Sequence, residues 1–219
     1  IGHETKYKPK PMIKIDNKPI IWHIMKIFKN YGYNDFLLSA GYKYKMIKNY
    51  FENSNEFNVK VVNTGLNTET GGRILLLKKY IKDKHFFMTY GDGISDIDIK
   101  KLLNFHLKSK GIATLTAVRP PVRFGEITFK SKRIKSFVEK PQTGSGWING
   151  GFFVLNRGIF NFIKNKKTIF EREPLTKLYK KKKLFGYKHT GFWQCMDTIR
   201  DKIYLRNLIK KNKNFKWII

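Results

Sequence analysis

Apolar runs of strand length alternate along this chain with segments of helical periodicity. After Pro19, apolar residues recur at helical spacing on one side of a helix that we expect to end near Gly32. A strand is predicted at 36–40, a helix at 44–51 and a second strand at 59–62. Because predicted strands and helices alternate, the pattern predicts an α/β fold with a mainly parallel central sheet covered by helices.

The continuous apolar run at 85–90 predicts a strand that is buried on both faces and lies centrally in the sheet. A polar, Gly-rich loop at 64–72 and a helix at 73–81 precede it. After Pro120-Pro121 the alternation breaks, and short strands joined by turns predict a mixed sheet region that forms one wall of a cleft. The other predicted segments are helices at 97–107, 170–180 and 198–210, and strands at 112–118, 126–129, 134–138 and 151–155.

The length of 219 residues and the 41% share of hydrophobic residues suit one domain with a buried core. Cys195 is the only cysteine, which excludes an internal disulfide and a thiolate zinc site, and we expect a reducing, cytoplasmic location. No apolar run reaches the roughly 18 residues that a membrane-spanning helix needs, so we expect no membrane partner.

The formal charge of +29 raises the hypothesis of a polyanion-binding protein, since lysines that neutralise phosphates release counterions. Only eight of the 45 basic residues are Arg, however, and the lysines are scattered through every segment. We therefore interpret the charge as a solvated surface and predict no nucleic-acid partner. A polyanion-binding protein stays an alternative, and its binding would depend steeply on salt.

The segment Tyr90-Gly-Asp-Gly93 places a carboxylate just past the end of a predicted strand, where open α/β sheets bind their ligands. Glycines on both sides of Asp92 let a phosphate-bearing ligand approach the backbone, and an Asp at this edge is a hard oxygen ligand suited to Mg²⁺. For Ser95, Asp96 and Asp98 we expect a structural turn instead, because Ser95-x-x-Asp98 resembles a capping box before a helix that starts near Ile97. Asp92 is therefore the carboxylate that we select for a chemical role.

A second carboxylate, Asp197, follows Gly191-Phe-Trp-Gln-Cys-Met196 at another predicted strand-to-helix junction. Either it caps the last helix, or it joins Asp92 in holding one divalent ion from two sides. The sequence leaves both interpretations open.

Two lysines are set apart by neighbouring prolines. Pro9 and Pro11 restrain the backbone on both sides of Lys10, so its side chain has a set direction that suits phosphate binding. Glu139-Lys140-Pro141 follows a predicted strand and pairs an acceptor for sugar hydroxyls with a donor for a phosphate. The alternative for this pair is a surface ion pair in a turn.

Taken in order, these segments resemble the sugar-phosphate nucleotidylyltransferases, and within them the cytidylyltransferase branch. The resemblance runs from about Lys8 to Trp217. The strings Trp147-Ile-Asn-Gly-Gly-Phe-Phe153 and Phe192-Trp-Gln-x-Met-Asp-Thr198 point to that branch, whereas Glu139-Lys-Pro141 is shared by the wider superfamily. The other segments that carry the resemblance are Lys8-Pro-Lys-Pro-Met12, Lys18-Pro-Ile-Ile-Trp-His-Ile-Met-Lys26, Thr70-Gly-Gly-Arg73, Thr89-Tyr-Gly-Asp-Gly93 and Arg123-Phe-Gly125.

The resemblance implies a Rossmann-like nucleotidyltransferase fold, in which residues 1–118 mainly bind the nucleotide and 119–219 supply a smaller sugar-binding region and a second metal ligand. It implies that glucose 1-phosphate attacks the α-phosphorus of CTP in line, giving CDP-glucose and pyrophosphate without a covalent enzyme intermediate. Such catalysis rests on positioning and on neutralising charge at phosphorus. The resemblance further implies Mg²⁺ as cofactor, CTP and glucose 1-phosphate as partners, and a homo-oligomer.

The resemblance also assigns roles to single residues. Asp92 and Asp197 match the metal ligands, and Lys10 and Asp92 match the catalytic positions, with Lys10 at the phosphates. The positions that match nucleotide contacts are Lys10, Thr68, Gly72, Arg73 and Gly91, with the 64–72 loop as the base pocket. The positions that match sugar-phosphate contacts are Gly125, Glu139, Lys140, Asn149 and Gly150.

Two features depart from the family's pattern. The family begins with a strand and a Gly-rich loop ending Gly-Thr-Arg, and this chain starts just after the place of that Arg. We therefore expect the 219 residues to be inactive and poorly folded until such a segment is restored. The segment 52–58 is also shorter than the family's. The alternatives are a uridylyl- or thymidylyltransferase for the same sugar phosphate, and a non-catalytic remnant.

Overall fold

The computed structural model describes residues 1–52, 54–120, 126–138 and 146–211, so the predicted site residues Gly125, Glu139 and Lys140 lie outside the described residues. The helices are α1 (Gly2–Thr5), α2 (Ile20–Lys29), α3 (Tyr44–Glu52), α4 (Thr70–Leu77), α5 (Ile99–Ser109), α6 (Glu173–Lys180) and α7 (Ile199–Lys211), with 3-10 turns at Lys10–Met12 and Arg157–Phe162. None of these helices is both long enough and apolar enough to cross a membrane.

The strands lie between the helices, as the alternating pattern predicts. They are β1 (Lys14–Ile15), β2 (Lys18–Pro19), β3 (Asp35–Ala40), β4 (Asn58–Asn63), β5 (His85–Thr89), β6 (Gly93–Ser95), β7 (Ala113–Val118), β8 (Glu126–Lys130), β9 (Arg133–Val138), β10 (Ile148–Asn156), β11 (Leu184–His189) and β12 (Trp193–Cys195).

A four-stranded sheet in the order β11-β7-β10-β5 forms the centre of the fold. Successive side chains of β10 point to opposite faces of this sheet. Phe152 and Val154 pack with residues of α2, α5 and α7 on one face, while Phe153 and Leu155 pack with residues of α4 and α6 on the other. A sheet covered by helices on both faces confirms the predicted α/β class.

Two details of the sheet differ from the prediction. β5 lies at the end of the four-stranded order and its side chains are only partly buried, so the central strand is β10, with six consecutive buried residues at 150–155. A strand needs neighbours on both edges and helices on both faces to be buried so completely. Of the seven strand pairs among the described residues, only β3-β4 and β7-β11 are parallel. In the four-stranded sheet β10 runs antiparallel to both of its neighbours, so this sheet is mixed and not mainly parallel.

The starts of two helices also differ from the prediction. α4 begins at Thr70, inside the predicted 64–72 loop, because carbonyls of the loop at 166–168 accept the amides of Glu69 and Gly71, each at 2.9 Å. α5 begins at Ile99, and Asp98 is its N-cap, since the side chain accepts from the backbone of the first turn at 2.9 Å. A capping role for Asp98 is thus confirmed, but the predicted capping box that begins at Ser95 is wrong, because Ser95 is the last residue of the unpredicted strand β6 and α5 starts two residues later than expected.

Candidate active site

The two-proline turn at Lys10–Met12 lies at one corner of the fold, where Met12 is buried. The turn packs closely against Gly91, because a Cβ atom at that position would lie 2.8 Å from Cγ of Pro11. A larger residue at position 91 would therefore displace the turn. Gly91 thus allows Lys10 to approach the end of β5.

The short antiparallel pair of β6 and β12 brings the two selected aspartates together. Gly93 pairs with Cys195 in this ladder, and the amide of Met196 donates to the carbonyl of Asp92 at 2.9 Å. Asp92 directly precedes Gly93 and Asp197 directly follows Met196, so both carboxylates lie at the same end of the ladder. The structure thus shows that Asp197 lies beside Asp92, and their shared role as metal ligands stays a prediction.

Lys10 lies between the two carboxylates. Its Nζ donates to Oδ2 of Asp92 at 2.7 Å and to Oδ1 of Asp197 at 2.6 Å. Burial by itself lowers the pKa of Lys10, but the hydrogen bonds and charges of Asp197 and Asp92 outweigh it and raise the pKa above its usual value. The carboxylate side chains stay 32% and 51% exposed, so a ligand can reach them. We call Lys10, Asp92 and Asp197 the lysine–carboxylate corner.

The thiol of Cys195 is a neutral neighbour of this corner. Its Sγ donates to Oδ2 of Asp197 at 3.0 Å. Burial, followed by this hydrogen bond, raises the pKa of the thiol to about 12. The thiol therefore stays protonated at neutral pH and does not supply a thiolate nucleophile.

Asp201, which the sequence analysis did not select, supports the Asp197 segment. One of its carboxylate oxygens accepts from the amides of Asp197 at 3.0 Å and Thr198 at 2.8 Å, and Gln194 Nε2 donates to the other at 3.2 Å. The amide of Asp201 donates to Oγ1 of Thr198 at 3.2 Å, which completes a capping box at the start of α7. The spacing Thr198-x-x-Asp201 is the sequence signal that could have identified it.

Thr68 and Arg73, two of the predicted nucleotide-binding residues, share a partner in the loop after β4. Arg73 Nη1 donates to Oγ1 of Thr64 at 2.6 Å, and Oγ1 of Thr68 donates to the carbonyl of Thr64. Gly41 faces the same loop, where a Cβ atom would collide with the carbonyl oxygen of Gly65. Both glycines also line a cleft of about 630 Å³. The loop is therefore held in one shape beside an open cleft.

Gly72, the third predicted residue of this region, has a packing role. It lies in α4, and a Cβ atom there would lie 2.6 Å from Cα of Lys166. Its amide donates to the carbonyl of Thr168 at 3.2 Å. This close contact between helix and loop is enough to require a glycine at position 72, whether or not a nucleotide binds there. The nucleotide-binding role of Gly72 therefore stays a prediction.

Asn149 and Gly150, the described residues of the predicted sugar side, lie at the start of β10. The carbonyl of Gly150 accepts from Nε1 of Trp193 at 2.7 Å, which ties this strand to β12. Asn149 Oδ1 accepts from the amide of Gly151 at 2.9 Å, and its Nδ2 donates to the hydroxyl of Tyr90 at 3.4 Å. These bonds connect the predicted sugar side to the strands that carry Asp92 and Asp197.

A second polar network, centred on Glu171, was missed by the sequence analysis. The hydroxyl of Tyr90 donates to Oε1 of Glu171, and Oγ1 of Thr70 donates to Oε2 at 2.6 Å. Burial, followed by the hydrogen bond to Glu171, raises the pKa of Tyr90. Because Thr70 opens α4 and Tyr90 precedes Gly91, this network joins the start of that helix to the segment that carries Asp92.

The sequence profile of the nucleotidyl transferase family matches residues 5–201, a range that contains every contact described above. The chain belongs to the nucleotidyl transferase family. It is 43% identical to the glucose-1-phosphate cytidylyltransferase of Salmonella typhimurium, over 97% of this chain and 92% of the relative. It is 32% identical to the D-glycero-alpha-D-manno-heptose 1-phosphate guanylyltransferase of Aneurinibacillus thermoaerophilus, over 82% and 80% of the two chains.

Solved structures agree with this membership. HddC from Yersinia pseudotuberculosis is similar with a TM-score of 0.71 at 26% identity, covering 92% of this nucleotidyl transferase and 90% of HddC. The Rossmann-like part of the fold prediction is thereby confirmed.

Proposed function

We propose that this nucleotidyl transferase joins CTP and α-D-glucose 1-phosphate into CDP-glucose and releases pyrophosphate. The choice of substrates is supported by the cytidylyltransferase strings of the sequence and by the relative of that name at 43% identity. The observation that carries the chemistry is the convergence of Lys10, Asp92 and Asp197. Transfer at phosphorus needs positioned groups and neutralised charge, which such a corner can supply.

The lysine–carboxylate corner fits a divalent cation. Its two carboxylates already converge on one positive charge, the ammonium of Lys10, and carboxylate oxygens are the ligands that Mg²⁺ prefers. Asp92 and Asp197 would hold Mg²⁺, which supplies neutralisation of phosphate charge when bound. Lys10 would bind the nucleotide phosphates. Gly91, which packs against Pro11, is assigned to the nucleotide from the family resemblance.

The remaining assignments follow the family resemblance. Thr68, Gly72 and Arg73 would form the nucleotide side together with the 64–72 loop. Asn149 and Gly150 would form the sugar side, with Gly125, Glu139 and Lys140 assigned there from the sequence alone. A cytoplasmic location and a homo-oligomer stay predictions. The proposed function includes a role for CDP-glucose in the synthesis of deoxysugars and O-antigen polysaccharide.

The test is a comparison of kcat/KM for CTP, UTP and dTTP with glucose 1-phosphate and Mg²⁺, in an assay that measures pyrophosphate release. We expect CTP to exceed the other two by about a hundredfold or more, because a base pocket that hydrogen-bonds one base leaves polar groups unpaired with another. The assay uses the 219-residue chain and a form that carries a family-type N-terminal segment.

Each outcome distinguishes one alternative. Equal use of UTP would assign the chain to the uridylyl or thymidylyl branch. An absence of turnover in both forms, with cooperative unfolding intact, would indicate a non-catalytic remnant. Robust turnover by the 219-residue chain would contradict the expectation that it needs the additional segment.

A further inference from the structure

The ammonium of Lys10 is itself a cation held between two carboxylates. Its Nζ forms ion pairs at 2.7 Å with Asp92 and at 2.6 Å with Asp197. The second oxygen of Asp197 accepts from the thiol of Cys195. Oδ2 of Asp92 and both oxygens of Asp197 are thus engaged by donors of this chain.

We propose that Lys10 is a displaceable internal cation, which closes the metal site of the substrate-free protein until a nucleotide draws its ammonium away. This inference rests on the proposed function, because it gives Lys10 an additional and earlier role at the same site. It predicts an order of events, in which a divalent cation binds weakly by itself and firmly together with the nucleotide.

The charges of the corner favour exclusion of a divalent cation by Lys10. Two carboxylates with one ammonium carry a net charge of −1, whereas the carboxylates alone carry −2, so Lys10 halves the charge that attracts a divalent cation. A divalent cation placed between the same oxygens would also lie beside the ammonium and be repelled by it. The ammonium and the metal ion therefore compete for one position.

The nucleotide offers the ammonium another partner. Phosphate oxygens accept hydrogen bonds from an ammonium, and the four-carbon stem of a lysine rotates while its backbone stays in place. Pro9 and Met12, on both sides of Lys10, are buried, so the turn itself is held. The Lys10 side chain can thus pass from carboxylates to phosphates without a movement of the chain.

The test is the affinity of the substrate-free protein for Mn²⁺, measured by electron paramagnetic resonance or calorimetry. Lys10→Met removes the charge and keeps a long side chain, and we expect it to bind Mn²⁺ about tenfold or more tightly than the unchanged protein. Lys10→Arg keeps a cation and should bind Mn²⁺ as weakly as the unchanged protein. Lys8→Met, the same change at an exposed lysine of the same segment, is the matched control for net charge.

Adding Asp92→Asn to Lys10→Met should remove the gain, which would place the Mn²⁺ at this corner. Equal affinity of folded Lys10→Met and unchanged protein would overturn the proposal, and so would an equal gain from Lys8→Met. These titrations contain no substrate, so they are independent of turnover. If Lys10→Met gained affinity for Mn²⁺ but the unchanged protein in the form with the family-type N-terminal segment made no CDP-glucose, the cation exchange would stand and the proposed function would be rejected. CDP-glucose formation by that form, without a gain in Lys10→Met, would do the reverse.

Discussion

Two clusters at opposite ends of β6 use similar residue types for different purposes. Before the strand, Asp92 belongs to the lysine–carboxylate corner. At its other end, Ser95, the last residue of the strand, lies with His189 and Asp96, the three residue types of a hydrolase triad. Oγ of Ser95 lies 3.1 Å from Nε2 of His189, which lies 3.0 Å from Oδ1 of Asp96.

The second cluster lacks the geometry of a catalytic triad. In a triad the histidine uses one ring nitrogen for the serine and the other for the carboxylate, whereas Ser95 and Asp96 both approach Nε2 of His189. Ser95 Oγ also donates to the carbonyl of Phe192 at 2.8 Å and accepts from the amide of Ile97 at 3.2 Å. Its hydrogen bonds hold β6 against the segment before β12.

The comparison teaches that the exposure of the group that would react separates the two clusters better than residue type does. Both carboxylates of the corner are reached by solvent, whereas the hydroxyl-bearing Ser95 is 1% exposed although the neighbouring Asp96 is exposed to a similar degree as Asp92. Charged groups gathered at an accessible strand end are typical of a functional site. A buried hydroxyl whose partners all belong to the chain is typical of a structural contact.

The largest expected effect that separates the clusters is the loss of turnover in Asp92→Asn. The change removes one charge from the corner at constant size, and we expect kcat to fall by about a thousandfold, with glucose 1-phosphate binding less affected. Asp98→Asn, the same change at the cap of α5, is the control and should keep its turnover. Near-normal pyrophosphate release by Asp92→Asn at saturating Mg²⁺ would show that the corner is not the catalytic one.

A smaller loss of turnover is expected from Asp201→Ala, because Asp201 positions the segment of Asp197 without belonging to the corner. We expect kcat to fall by about tenfold while KM for glucose 1-phosphate changes little. Asp201→Glu, which keeps a capping-box carboxylate, should restore much of the rate. If Asp201→Ala lowered only the melting temperature, Asp201 would be a cap and nothing more.

An effect on stability alone is expected from Asp96→Asn. Burial by itself raises the pKa of Asp96, but the hydrogen bond and charge of His189 lower it overall. A carboxyl whose pKa is lower in the folded chain stabilises the fold above about pH 4 and loses that contribution as the pH falls further. Asp96→Asn should therefore cost about 1 kcal/mol at pH 7 and less at pH 3, measured by urea unfolding. A cost that did not shrink with acid would contradict this ion pair.

The smallest effect is expected from Ser95→Ala. Since Ser95 carries no chemistry in this interpretation, turnover should stay within about twofold of the unchanged protein. A loss of about a hundredfold in a variant that unfolds normally would reverse the comparison and make the second cluster catalytic.

The sequence by itself identified most helices and strands, the α/β class and the residues of the corner. Those predictions depend on neighbours along the chain, such as the glycines around Asp92 and the prolines around Lys10. The Gly-rich start of α4 was predicted as a loop, because the carbonyls that accept its first amides come from residues 166–168.

Only the tertiary structure decided that Asp197 lies beside Asp92, that β10 rather than β5 is central, and that Gly72 packs on Lys166. Each of these depends on which distant segments meet and in what register. The pairing of Gly93 with Cys195 sets the distance between the two carboxylates, and no local pattern of either segment encodes that pairing. The sequence determined which chemical groups this protein carries, and the strand pairing determined which of them lie together at the corner.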